Sequence, residues 1–303
     1  MANLQVTSVR SVDLGVTGLK SRQKFFDEIW GLKTVAERPG AVYMRGTGAN
    51  DHIVGLHDRP RAEVARITLT APDKAAVDAL GIRVREAGGR NVETPAAIAE
   101  PGGGYGFSFL DPEGRTVRIL TGDARHGDAV DDRDRPRKIS HVVMNSGDPE
   151  GVTRFWENAL GFKLSDRTQA MTFIRCNTDH HSIAFVKAHA PALHHIAFEM
   201  PAIDGVMRGA GRMRDNGFPI EWGVGRHGPG NNVFAYFLSP DEMVIEYTAE
   251  VEQVDDKYQA HGPDFWTWPK GRNDQWGIAV GPSERMKGAH DRVGFAEGLF
   301  RAG

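Results

Sequence analysis

The chain repeats itself, and that repeat limits its possible folds more than any other feature. FFDEIWGL (Phe25 to Leu32) returns as FWENALGF (Phe155 to Phe162), an offset of 130 residues. FLDPEGRTVRI (Phe109 to Ile119) returns as FLSPDEMVIEY (Phe237 to Tyr247), an offset of 128. A near-constant offset says that the two halves are related folds in tandem.

Each half divides again. Val9 to Val16 reads as a strand, followed by an amphipathic helix with Phe25, Phe26, Ile29 and Trp30 near i, i+3, i+4 spacing and Gly31 as its C-cap. The alternating stretches AVYMRG and HIVGLH then read as strands. A second copy starts at Ala65 to Ala71, continues as a helix over Asp73 to Ala87 closed by Gly88 and Gly89, and ends in a hairpin turned at Asp111 to Gly114. Residues 122–137, GDARHGDAVDDRDRPR, are polar and charged and read as a linker. After them the unit returns twice, from KISHVVM and from ALHHIAF. The expected division is 1–121, a linker at 122–137, 138–250, and an extension at 251–303 that lies outside the repeat.

Composition excludes several classes. Net charge is -3 with 25% charged residues, which gives no footprint for nucleic acid or an anionic membrane. The opening lacks the basic-then-apolar order of a signal peptide, and no apolar run reaches spanning length. A single cysteine, Cys176, permits no intramolecular disulfide and points to a reducing, cytoplasmic setting; it reads as a buried small apolar residue.

The repeat also provides an internal control. Positions needed only for the fold should match between halves, and positions needed for chemistry should differ. His141 aligns with Val12, His195 with Arg66, and Glu246 with Arg118. Two histidines and a carboxylate therefore stand on strand positions in the second half alone. Two His and one carboxylate form the facial triad that leaves positions open on a divalent ion. Neutral imidazoles, one carboxylate and a divalent cation carry one net positive charge, which suits an anionic chelating substrate. Asn177 to Phe198 is dense in histidine, and His181 and His195, 14 residues apart, both fall on segments (HSIAF, HIAF) that read as strands. Adjacent His180 and His181 cannot both face the site from one strand. His189, His261 and His290 read as surface residues.

At these residues the chain resembles the type I extradiol ring-cleaving dioxygenases of the vicinal oxygen chelate superfamily, the catechol 2,3-dioxygenase and 2,3-dihydroxybiphenyl dioxygenase group. The motifs are SHVV, HHSIAF, LHHIAF and GRHGPGNNVFAYFLSPDEMVIEYTAE, within residues 5 to 250. The resemblance implies an α+β fold of four βαβββ units paired into two barrel-like modules, with metal only in the second. It implies His141, His195 and Glu246 as Fe(II) ligands, with Mn(II) compatible with the same set. It implies His181 as the acid-base group, His227 and Tyr236 as partners of the substrate oxygens, and His194 as a supporting residue. The partners would be a substituted catechol and O2, in a homo-oligomer that degrades aromatic compounds. Val143 stands where some relatives that take carboxylated catechols have a polar residue. The segment DFWTWPKGRNDQW is either a lid, with Arg272 near the substrate, or a subunit contact. Two other classes remain: a metal-free binding protein of the same fold, and a glyoxalase-like isomerase, which would need a further carboxylate ligand.

Overall fold

The structure, a computed structural model, describes residues 5–302. The first half forms strands β1 (Ser8–Val16), β2 (Lys33–Arg38), β3 (Ala41–Arg45), β4 (Val54–Asp58), β5 (Glu63–Thr70), β6 (Ala96–Ala97), β7 (Tyr105–Leu110) and β8 (Thr116–Thr121). The second forms β9 (Lys138–Ser146), β10 (Lys163–Arg167), β11 (Met171–Arg175), β12 (Ile183–Lys187), β13 (Ala192–Glu199), β14 (Trp222–Arg226), β15 (Val233–Leu238) and β16 (Val244–Ala249). Each set makes one eight-stranded mixed sheet. The spatial orders are β2-β3-β4-β1-β5-β8-β7-β6 and β10-β11-β12-β9-β13-β16-β15-β14, so the second sheet repeats the topology of the first.

The helices form where the apolar spacing places them. The first, α1 (Leu19–Lys24), runs on as a π-helical turn from Phe25 to Trp30 that buries Phe25, Phe26 and Trp30 and ends at Gly31, whose φ is 94°. The second, α2 (Lys74–Glu86), is capped by Asp73, whose side chain accepts from the Ala76 N–H. The third, α3 (Pro149–Leu160), the repeat counterpart of the first, takes the same kind of cap from Asp148 and carries proline at its first position. The fourth, α4 (Ile203–Asp215), buries Val206, Ala210 and Met213.

The closing turns show how one backbone is reached by two sequences. Gly114 sits at φ 87° and Glu242, its counterpart, at φ 58°. Only glycine enters that region without steric cost. The turn Ser239 to Glu242 is nonetheless held, because Asp241 accepts two hydrogen bonds from the Arg22 guanidinium and one from Thr17. The second closing turn therefore clamps the first half.

The two halves share one hydrophobic cluster. Trp30 stacks on Tyr247 with ring centroids 3.8 Å apart and meets Phe198 and Phe237 edge-on. The Tyr247 hydroxyl donates to the Trp30 carbonyl at 2.6 Å. Cys176 is buried and its thiol is pushed up to about 12 by burial, as expected of a small core residue. No described helix is long and apolar enough to cross a membrane.

Candidate metal centre

Three neighbouring strands build the site. In the order β9-β13-β16, Ala197 of β13 lies opposite His141 of β9 on one side and Glu246 of β16 on the other. His195 is two residues from Ala197 on the same strand, so its side chain leaves the same face of the sheet. All three are buried. One ligand atom from each lies within 4.8 Å of the others, and among the described residues this is the one such group of His, Cys, Asp or Glu.

The contacts inside this group show what it is suited to hold. His141 Nε2 and His195 Nε2 each lie 3.2 Å from Glu246 Oε2. Yet His195 Nε2 and Glu246 Oε2 make no hydrogen bond: they are within reach but out of alignment. An unpaired buried polar atom costs about 1–3 kcal/mol. A divalent cation held by these residues would satisfy both atoms, and the donor set of two imidazoles and one carboxylate fits Fe(II) or Mn(II). The remaining atoms of the three side chains are anchored from behind. His141 Nδ1 lies 3.1 Å from Ser140 Oγ, and His195 Nδ1 lies 2.7 Å from His194 Nδ1. The Asn232 amide donates to Glu246 Oε1 at 3.4 Å and to Thr248 Oγ1 at 2.8 Å. Such backing fixes ligand orientation. Burial acts to raise the Glu246 carboxyl, but the His141 and His195 imidazoles outweigh it and hold it well below the ordinary range.

Beside this group lies a cavity of about 140 Å³. His141, His195, His181, His194, His227 and Tyr236 supply its polar wall; Val143, Met171, Phe173, Trp222 and Pro229 supply its apolar wall. His227 Nε2 lies 2.8 Å from the Tyr236 hydroxyl. Burial, followed by the Glu246 charge, raises Tyr236 well above its ordinary value of 10.0, so it is a neutral hydroxyl at working pH. Burial lowers His227 to about 4 and takes His181 well below 6.5, where the surrounding histidines add to the effect. Both are therefore neutral near pH 7. Gly230 crosses close to His181: at φ 80°, a Cβ there would lie 2.8 Å from His181 Cε1. That loop needs glycine for its conformation and for the close approach.

All six residues singled out from the sequence meet here, but some details differ. His141 does not occupy the Val12 position. Val142 pairs with Ile183 and Ile196 as Val12 pairs with Val54 and Ile67, so His141 corresponds to Ser11, which lies opposite Thr68 as His141 lies opposite Ala197. The offset of 130 that relates the following helices already places His141 on Ser11, and the ladder bulges fall at equivalent points in both halves. His181 is not on a strand either, because β12 begins only at Ile183. Its neighbour His180 is buried too, but turns away from the cavity toward Asp166. Two presumed surface histidines are half-buried: His261 contacts Asp166, and His290 stacks on His194 at 3.7 Å. Arg272 does not line the cavity, whereas Trp266 and Trp268 pack against Gly228 in the His227 loop. Asn232 was missed. The same comparison of halves would have found it, since Gly104 stands at its position under the offset of 128.

In sequence comparisons, residues 138–247 match the model of the glyoxalase/bleomycin resistance protein/dioxygenase superfamily. A solved structure described as the Mn(II)-bound glyoxalase from Novosphingobium aromaticivorans superposes with a TM-score of 0.86 at 38% identity, covering 93% of this chain and 94% of that one. The chain belongs to this superfamily, with the vicinal oxygen chelate fold. Metapyrocatechase 2 of Cupriavidus necator is 31% identical over 189 residues, covering 55% of this chain and 57% of that protein. A manganese-dependent 2,3-dihydroxybiphenyl 1,2-dioxygenase of Geobacillus genomosp. 3 is 24% identical over 254 residues, covering 71% and 76%. The chain thus spans little more than half the length of the first of these relatives.

Proposed function

We propose that this protein is a divalent-metal-dependent extradiol dioxygenase, which opens a catecholic ring beside its diol with O2. The observation that carries this reading is the pairing of a three-residue group, His141, His195 and Glu246, with a cavity that has an apolar wall and is also lined by His181, His227 and Tyr236, three groups able to handle protons. No further carboxylate joins the three ligands among the described residues, which favours ring cleavage over a glyoxalase-like isomerisation.

When bound, the ion would bring catecholate and O2 together in reacting geometry and pass electrons between them. The chain's own residues have separable tasks. His181, neutral and in the cavity wall, is placed to accept a proton from a substrate hydroxyl and to return it during O–O cleavage. Tyr236, a neutral donor bonded to His227, is placed to hold the deprotonated substrate oxygen. Val143, Met171, Phe173 and Trp222 exclude water and receive the ring and its substituent. No Lys or Arg lines the cavity, which favours an apolar substituent over a carboxylate.

Fe(II) is the ion implied by the resemblance to extradiol dioxygenases. Mn(II) is the second reading, supported by the Mn(II)-bound relative at 38% identity. Metal analysis of purified protein, followed by anaerobic reloading of the stripped chain with each ion, tests the site. One tightly held ion per chain is expected, lost in His195→Ala. Full occupancy in that variant contradicts the ligand assignment. Assembly as a homo-oligomer is part of the same proposal, checked by sedimentation.

A further inference from the structure

Behind His181 lies a buried row of polar groups that the reaction as described does not use. His181 Nδ1 is 3.1 Å from His180 Nδ1. His180 Nε2 is 2.8 Å from Asp166 Oδ2. Asp166 Oδ1 accepts the backbone N–H of His261 at 2.8 Å, and the Tyr258 hydroxyl donates to Asp166 Oδ2 at 3.1 Å. His180 and Asp166 are fully buried, and the row ends at the His261 ring, whose side chain is 35% exposed. Asp166 is the penultimate residue of β10, and its backbone bridges to His261 in the C-terminal extension. The extension thus reaches back to a point two side chains behind the cavity.

We propose that Asp166 and His180 are positioning residues that fix which nitrogen of His181 carries the proton. The argument is one of donors and acceptors. Asp166 takes an N–H on one oxygen and an O–H on the other, so it is an acceptor throughout. The His180 nitrogen facing it, Nε2, must therefore carry hydrogen. With His180 in its neutral form, which the proposal takes as its premise, the ring has one N–H, and His180 Nδ1 is left as an acceptor. His181 Nδ1 must then donate to it. The remaining nitrogen of His181, Nε2, is left with a free lone pair for a substrate hydroxyl. A carboxylate that sets an imidazole's tautomer and orientation is a known device of acid-base catalysis; here the effect passes through a second imidazole. The role of His181 in catalysis rests on the function proposed above, but the tautomer assignment does not.

Asp166→Asn separates this role from simple packing. The Asn carbonyl would keep the bond from the His261 N–H, which turns the amide NH2 toward His180 Nε2. His180 must then carry its proton on Nδ1, and His181 on Nε2, where it blocks the lone pair. The test is 15N NMR of the histidine-labelled full chain loaded with Zn(II), a diamagnetic ion, together with steady-state kinetics of the Fe(II)- or Mn(II)-loaded enzyme on 3-methylcatechol. In the wild type, His181 should carry its proton on Nδ1. In Asp166→Asn it should carry it on Nε2, and kcat should fall ~100-fold or more with KM and metal content held within about twofold. An unchanged His181 tautomer in the variant, or an unchanged kcat in an enzyme that turns over, overturns the proposal. If Asp166→Asn does not fold, His180→Ala serves: kcat should be lost and partly restored by added imidazole, and full activity without imidazole overturns the proposal. A wild type that holds metal but cleaves no catechol refutes the proposed function alone, because the tautomer is read without turnover.

Discussion

Arg118 and Glu246 occupy the same ladder position in the two sheets: Arg118 lies opposite Ser108 and Thr68, and Glu246 opposite Tyr236 and Ala197. One is a cation and the other a carboxylate, so the two halves have used one architecture in opposite ways. In the first half Arg66 and Arg118 fill the equivalent space and are neutralised by Glu100 and Asp13. A divalent cation has no place there. In the second half the carboxylate and two imidazoles leave that space to an ion.

That filled space makes the first half sensitive to acid. Burial acts to raise Glu100, but the charge of Arg66 and the hydrogen bond from Arg118 outweigh it, and the carboxyl is brought from 4.5 to about 2. The ionised form is thus favoured by folding. Its contribution, about 3 kcal/mol, is complete above pH 4.5 and disappears as pH falls toward 2. Glu100→Gln should lower the unfolding free energy by about 3 kcal/mol at pH 7, and by much less at pH 3. Urea titrations at the two pH values check this; an equal loss at both would contradict it.

Asn232 holds Glu246 from behind, with its amide shared between Glu246 and Thr248. Asn232→Ala leaves the carboxylate free to turn. Metal affinity should fall about 10–100-fold, measured by competition with a chelator, while the fold is retained.

Tyr236→Phe removes the hydroxyl that faces His227 Nε2 and keeps the ring stacked on Trp222. The variant should retain its metal and lose about 10²-fold or more in kcat on a catechol. Unchanged kcat would remove Tyr236 from the reaction.

The apolar wall sets the substrate class. Catechol, 3-methylcatechol and 2,3-dihydroxybiphenyl should be turned over with kcat/KM at least about 100-fold above a carboxylated catechol, because a buried carboxylate would find no cation. Comparable values across the panel would contradict this.

Much of this was legible in the sequence, for physical reasons. Glycine caps, proline turns and apolar periodicity are local, and they mark both halves alike. The ligands stood out because Arg66 and Arg118 cannot do what His195 and Glu246 do. His141 was set one residue off because the offset between the halves changes from 130 at β9 to 129 at β13, a step that apolar alternation does not mark. His180 and His181 were read as strand because HSIAF alternates, yet the His180 N–H bonds the Glu252 carbonyl and so leaves the ladder. His261 and His290 were invisible as partners because their contacts, with Asp166 and His194, join residues about a hundred apart in the chain.

The central claim is best tested by oxygen uptake. Wild-type protein reloaded with Fe(II) or Mn(II) should consume one O2 per 3-methylcatechol and form a yellow ring-opened product, with both atoms of labelled O2 incorporated. Full metal occupancy with no oxygen consumed on any catechol of the panel would contradict it.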